Sequence, residues 1–263
     1  MFKTVLGWCA TASILGGTVG GLVAGPVPSV IALTEEQAIE KLADVPVFTI
    51  SNNEGQPLPL TLDPEGNDTE ARPFFFVKYE QASQVRQQLA SGNPDISAQT
   101  RILPVRLSAV IEVGRQAAAN NAESAPYTLF PDGVEVQSAV QLLQAQGQQI
   151  ENPARIGIPL FYGFVQDGEN TILLPLVNED TQESFIPFFM KEDMAQELVT
   201  RYKDSGVEKS AEAQIGIIPM AALIQQFIDD QQQVYERIQI IPPPESLQDV
   251  QRINQENPPP AGP

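Results

Sequence analysis

The sequence predicts an α+β fold made of two pseudo-symmetric repeated α/β units with mixed sheets, forming a bilobed molecule. Three observations predict it. Short β-branched and aromatic runs alternate with segments of helical periodicity along the chain. The same ordered motifs occur twice, at a nearly constant spacing. The 263 residues, 42% of them hydrophobic, suffice for one large domain or two small ones.

Residues 1–32 read as a secretory signal peptide. Lys3 supplies a short positive region, an apolar glycine-rich run follows from Val5 to Ala24, and Val30-Ile31-Ala32 offers a cleavage site after Ala32. Pro26 and Pro28 interrupt the segment and argue against the rival reading, a membrane anchor. Cys9 precedes most of the apolar run, which excludes a lipoprotein attachment. Cleavage would leave a mature chain without Cys, His or Trp. No later run reaches the ~18 apolar residues of a membrane span. The mature chain is therefore expected to be soluble and exported, with a bacterial periplasm as one fitting compartment.

The first unit is placed at 33–150 and the second at 151–255. Val45-Pro46-Val47-Phe48 is answered by Ile158-Pro159-Leu160-Phe161, and Asn53-Glu54-Gly55 by Gln166-Asp167-Gly168 at the same spacing. Pro73-Phe74-Phe75-Phe76 matches Pro187-Phe188-Phe189-Met190 at a spacing one position wider. Pro104 matches Pro219 slightly beyond that spacing, and Pro131 matches Pro242 slightly short of it. Strands are predicted at 46–51, 73–77, 101–106 and 127–130, then at 158–165, 171–176, 186–190, 214–218 and 237–241. Asp167-Gly168 reads as a hairpin turn. Met220, Leu223, Ile224, Phe227 and Ile228 follow the helical period, as do Leu107, Val110 and Ile111. Further helices are predicted at 34–43, 79–91, 134–147, 192–204 and 245–253. Arg115 to Ser124 reads as a loop. Residues 256–263, with Pro258-Pro259-Pro260, read as a disordered tail.

Composition removes most chemistry. There is no histidine, which excludes Ser-His-Asp catalysis, His-ligated zinc and a histidine general base. The single cysteine excludes an intrachain disulfide and a thiolate metal cluster. A formal net charge of −18 repels nucleic acid and anionic membranes, and attracts basic segments of a partner. Neither Glu179-Asp180 nor Glu192-Asp193 makes a general acid/base pair, since adjacent residues point apart. Asp63-Pro64-Glu65-Gly66-Asn67-Asp68 resembles a calcium loop loosely, but lacks the closing Glu. No catalytic residue, metal site, cofactor or small-molecule substrate is expected, and the protein is not expected to be an enzyme. A hydrolase using carboxylates alone is the weakest of the readings. Pro104 and Pro219 either start the helices that follow them or are cis residues at a site. The aromatic runs are the candidate binding elements. Three successive aromatics on a strand cannot share a face, so either the strand is buried on both sides or one ring reaches a groove.

The ordered motifs Val45-Pro46-Val47-Phe48-Thr49-Ile50, Pro73-Phe74-Phe75-Phe76 and Ile102-Leu103-Pro104-Val105 resemble the Tic22-like family in its cyanobacterial form. That family is named for a subunit of the protein translocon of the chloroplast inner envelope. The resemblance spans nearly all the mature chain. It implies a non-enzymatic protein of protein transport, chaperone-like, in the periplasm or thylakoid lumen and tied to outer-membrane biogenesis. Its implied partners are outer-membrane precursors and the assembly barrel of the Omp85 type. It implies apolar grooves as the binding surface, with Phe74, Phe75, Phe76, Phe188, Phe189 and Met190 in the matching segments. The alternative is a structural adaptor that binds one folded partner without handling clients.

Overall fold

The computed structural model describes residues 34–61, 71–92, 95, 98–120, 126–168, 170–206, 212–229 and 236–256. The expected signal segment, the loop from Asp63 and the tail beyond Glu256 lie outside them. The fold is α+β with two mixed sheets. The first half holds α1 (Glu35–Glu40), β1 (Pro46–Asn52), β2 (Pro59–Leu60), β3 (Arg72–Phe76), α2 (Tyr79–Gly92), β4 (Thr100–Arg106), α3 (Leu107–Ala119), β5 (Thr128–Phe130) and α4 (Gly133–Ala145). A 3-10 turn at Pro153–Ile156 leads to the second half. There follow β6 (Pro159–Asp167), β7 (Asn170–Leu173), β8 (Leu176–Val177), β9 (Ser184–Phe189), α5 (Glu192–Asp204), β10 (Gln214–Pro219), α6 (Met220–Asp229), β11 (Ile238–Ile241) and α7 (Pro244–Glu256).

The two sheets repeat one plan. In the first, β4, β1, β3 and β5 lie side by side, antiparallel except for the parallel pair β3–β5. In the second, β10, β6, β9 and β11 do the same, with β9–β11 parallel. The register repeats as well. Phe48 pairs with Phe76, and Phe161 with Phe189. The Leu107 N–H donates to the Val45 carbonyl at 2.8 Å, and the Met220 N–H to that of Ile158 at 2.9 Å. Each of these residues is separated from its counterpart by the spacing of Pro46 from Pro159, so one offset holds through the strands.

That register corrects two of the motif matches. Val77 corresponds to Met190, since their N–H groups donate to the Phe130 and Ile241 carbonyls, each at 3.1 Å. The aromatic runs are therefore aligned Phe75 with Phe188 and Phe76 with Phe189, one residue from the match on sequence. Pro104 lies opposite Phe48 inside β4, whereas Ile217 lies opposite Phe161. The one-residue slip of the aromatic runs matters most, since it reverses the face each side chain takes, whereas the two-residue slip of the prolines leaves the face unchanged. Nor does either proline start a helix. Pro104 sits within an edge strand, where the missing N–H is tolerated, and Pro219 ends one. No peptide bond among the described residues is cis.

The two halves meet in a shared core. Val45, Val47, Phe75, Leu107 and Val110 of the first half merge there with Leu160, Phe188, Met190, Met220, Leu223 and Phe227 of the second. Helix α1 crosses it, touching both α3 and α6. Each sheet also has an outer core, covered by a helix of its own half, α2 on the first sheet and α5 on the second, with a helix of the other half beside it. Helix α4 packs Ala139, Val140, Leu142 and Leu143 against Phe161, Val165 and Leu198. Helix α7 packs Val250 and Ile253 against Phe48, Phe74 and Phe76. The chain boundary near 150 thus separates the sheets but not the cores.

Local chemistry sets these helices. Thr34 and Gln37 close a capping box at α1, each side chain accepting the other's backbone N–H. Asp132 caps α4 through the Val134 N–H at 3.0 Å. Gly55 (φ +87°) and Gly168 (φ +62°) make the turns after β1 and β6, in a region costly for residues with a Cβ. The segment expected as a loop from Arg115 is helical to Ala119, because the Ala-rich sequence continues α3.

Candidate functional site

The six side chains expected to mark a groove are all 2–7% exposed. The pleat divides them. Phe75, Phe188 and Met190 enter the shared core. Phe74 and Phe76 face the outer core of the first sheet, and Phe189 that of the second. Of the two placements open to them, burial on both strand faces is the one found. They line no open groove in this conformation. The rings pack against one another and their neighbours: Phe76 stacks on Phe130 at 5.0 Å, and Phe188 on Tyr162 at 4.8 Å.

Half-buried apolar side chains border the shared core instead. The first half contributes Val105, Ile111, Tyr127 and Leu129. The second contributes Tyr162, Phe164, Ile218 and Ile224. Two of these pairs, Val105 with Ile218 and Ile111 with Ile224, again share the offset of the strands. The edge strands and the helices that follow them therefore present the same apolar positions in both halves. Periodicity flagged Ile111 and Ile224 as helix-core residues, but their partial exposure is invisible to it, since it depends on what the shared core leaves uncovered. Glycines seat the rings: a Cβ on Gly216 would meet the Tyr162 ring at 2.3 Å, and one on Gly114 would meet the Tyr127 hydroxyl at 2.8 Å. Burial pushes the Tyr162 phenol up to about 12.

Polar groups concentrate where the exchanged helices begin. Lys78 pairs with Asp132 at 2.5 Å, and its counterpart in the second half, Lys191, pairs with Glu245 at 3.1 Å. The Glu192 N–H donates to the Glu135 carboxylate at 2.9 Å, so α4 caps the start of α5, where Lys191 makes no side-chain cap. Burial holds the Glu135 carboxyl above the usual carboxylate range, and the Asp132 and Asp193 charges push the same way against the Glu192 N–H and Lys191. This network joins helices rather than facing a cleft. A polar cleft of about 540 Å³ lies beside β9 and β11, lined by residues including Glu183, Ser184, Glu236 and Arg237. Its Arg237 is engaged by Ser184. Glu179 and Asp180 sit in the exposed turn before β9, and Asp193 on the exposed start of α5. No cluster of three or more Asp, Glu, His or Cys residues able to hold a metal occurs among the described residues. None of their helices is long and apolar enough to cross a membrane. The arrangement offers apolar contact.

The fold has solved relatives. Anabaena Tic22, a protein of protein transport, superposes with a TM-score of 0.70 at 20% identity, covering 88% of this chain and 100% of that one. Tic22 from Plasmodium falciparum superposes with a TM-score of 0.64 at 16% identity, covering 83% and 98%. No curated protein matches the sequence. The model of the Tic22-like family matches residues 15–253. With nearly the whole chain spanned by that match, the protein belongs to the Tic22-like family.

Proposed function

We propose that the protein serves protein transport as a non-enzymatic, chaperone-like binding factor that holds extended precursors against its half-buried apolar residues. The observation that carries this reading is the duplicated rim of the shared core, with Val105 and Ile111 in one half and Ile218 and Ile224 in the other. Partly exposed apolar positions suit reversible contact with apolar segments of a client. The strong negative charge keeps such a complex soluble and draws basic segments toward it. Family membership supports transport as the setting. The compartment in this proposal is the periplasm or thylakoid lumen. The clients are outer-membrane precursors, delivered to an assembly barrel of the Omp85 type.

Light scattering of a denatured outer-membrane barrel, diluted with and without the protein, tests the reading. Suppression by wild type, weakened several-fold in the double variant Ile111→Ser, Ile224→Ser, is expected. No suppression at excess wild-type protein contradicts it. Recovery of a single folded partner from an envelope fraction, without such suppression, would make the protein a structural adaptor instead.

A further inference from the structure

We propose that the rim of the first half selects charge as well as apolar shape: Arg101 takes a carboxylate that flanks the apolar segment of a bound client. This rests on the proposed binding of extended clients at the rim, and names what one half of that rim selects. Side chains alternate faces along β4, and its unbroken register with β1 puts Arg101, Leu103 and Val105 on one face. Val105 belongs to the half-buried rim. Leu103 and Arg101, also half-buried, continue the row toward the turn after β1. There a Cβ on Gly55 would lie 3.7 Å from Leu103 Cδ1 and 3.6 Å from Arg101 Nη2. The row therefore runs from apolar to cationic along one edge strand.

Arg101 is a cation without a counterion in an acidic protein. Asp and Glu outnumber Lys and Arg by 33 to 15. Lys78, Arg115, Lys191, Arg201 and Arg252 each pair with a carboxylate. Arg106 and Arg155 have no such partner among the described residues, but they stand exposed, where water solvates them. Arg101 has none among the described residues either, yet its Nε is buried and donates to nothing. Glu54, next to Gly55 in the turn, is exposed and makes no ion pair with it. Taking part of a guanidinium out of water without a partner is costly. A carboxylate on its outer nitrogens would offset that cost, and the planar guanidinium suits two parallel hydrogen bonds.

The duplication shows what this cation adds. The strand offset relates Arg101 to Gln214, Leu103 to Gly216 and Val105 to Ile218. The pairing agrees, since Arg101 lies opposite Ser51 in β1 and Gln214 opposite Phe164 in β6. The second half thus has a neutral amide at the place of the cation, and a glycine under the Tyr162 ring at the place of Leu103. Only the first rim carries the charge. Its partner is an extended segment with apolar side chains followed by Asp or Glu. The net charge of −18 repels that acid at long range, so a preference for it can come only from a local contact.

The test uses the full chain and two rhodamine-labelled peptides of alternating leucine and serine, blocked at both ends. One ends in glutamate and the other in glutamine. Fluorescence anisotropy is expected to show roughly fivefold tighter binding of the glutamate peptide to wild type. Arg101→Gln, which installs the residue of the second half, should abolish that preference. Arg155→Gln removes the same charge from an exposed site and should keep it. Leu103→Ser should weaken both peptides alike. Equal affinity of wild type for the two peptides overturns the proposal, and this comparison needs no variant to fold. So does a preference that survives Arg101→Gln, one lost equally in Arg155→Gln, or peptide binding untouched by Leu103→Ser. Suppressed barrel aggregation with no preference between the peptides would leave the proposed function standing and remove Arg101 from it. A preference lost in Arg101→Gln, without suppression of aggregation, would keep the carboxylate contact and contradict the proposed function.

Discussion

Glu135 shows how one buried carboxylate joins the halves. It sits on α4 and receives the first N–H of α5. Its raised carboxyl fixes the sign of a pH effect. A group whose folded pKa lies above its unfolded one stabilises the fold below the unfolded value, near 4.3. That contribution is lost as pH rises through the folded value. Glu135→Gln keeps an acceptor for the Glu192 N–H and removes the charge. The melting temperature of the variant minus that of wild type is expected to rise between pH 4 and pH 7; a difference that falls over that range contradicts the assignment. Glu135→Ala loses the cap and should cost about 1 kcal/mol of stability by denaturant titration. Gly216 gives a second residue-scale prediction. An alanine Cβ there would lie 2.3 Å from the Tyr162 ring, whereas at Gly163 it would meet the end of the flexible Leu174 side chain at 2.8 Å. Gly216→Ala should therefore cost about 1–3 kcal/mol, and more than Gly163→Ala, in the same measurement. Neither site was legible in the sequence, because a cross-helix cap and a glycine under a ring are made by pairing.

Elements were the most legible scale. Strand and helix positions follow the hydrophobic period closely, as with the helix predicted at 192–204 and found there as α5. What sequence periods do not show is how sheet edges are guarded. The ammonium of Lys41, just after α1, donates to the Glu236 and Ile238 carbonyls at 3.0 and 3.1 Å, covering the open edge of β11. Burial lowers the Lys41 pKa, with Glu236 opposing. Lys41→Ala leaves these carbonyls without their cation and should cost about 1–3 kcal/mol. Chemical denaturation measures the loss. An unchanged midpoint would mean that water replaces the lysine fully. The short β2 was missed, and β8 was merged with β7 in the strand expected at 171–176, since two residues carry no period.

Over the whole molecule, the duplication was readable and its consequence was not. Repeated motifs announce two sheets of the same plan, but a helix carries no sequence mark of the sheet it will cover. Periodicity tells that α4 and α7 have apolar faces; only the three-dimensional path shows each crossing to the other half. With a common core and exchanged helices, the halves should unfold as one cooperative unit. Calorimetry should show a single transition, lowered together by Phe48→Ala in the first half or Phe161→Ala in the second, each costing about 3–5 kcal/mol. Two separable transitions would contradict the shared core. The aromatic runs were legible as apolar anchors, yet their burial was decided by the pleat and by the helices above them. The proposed rim consists of half-buried apolar positions packed against the shared core. A photo-crosslinking residue placed at Ile224 and, as a control, at the exposed Gln137 of α4 tests that rim most directly, with a denatured outer-membrane barrel as client. Crosslinks to the barrel from position 224, and few or none from position 137, are the expected result. Equal yields from both positions, or none from 224 at excess protein, would contradict client binding at the rim.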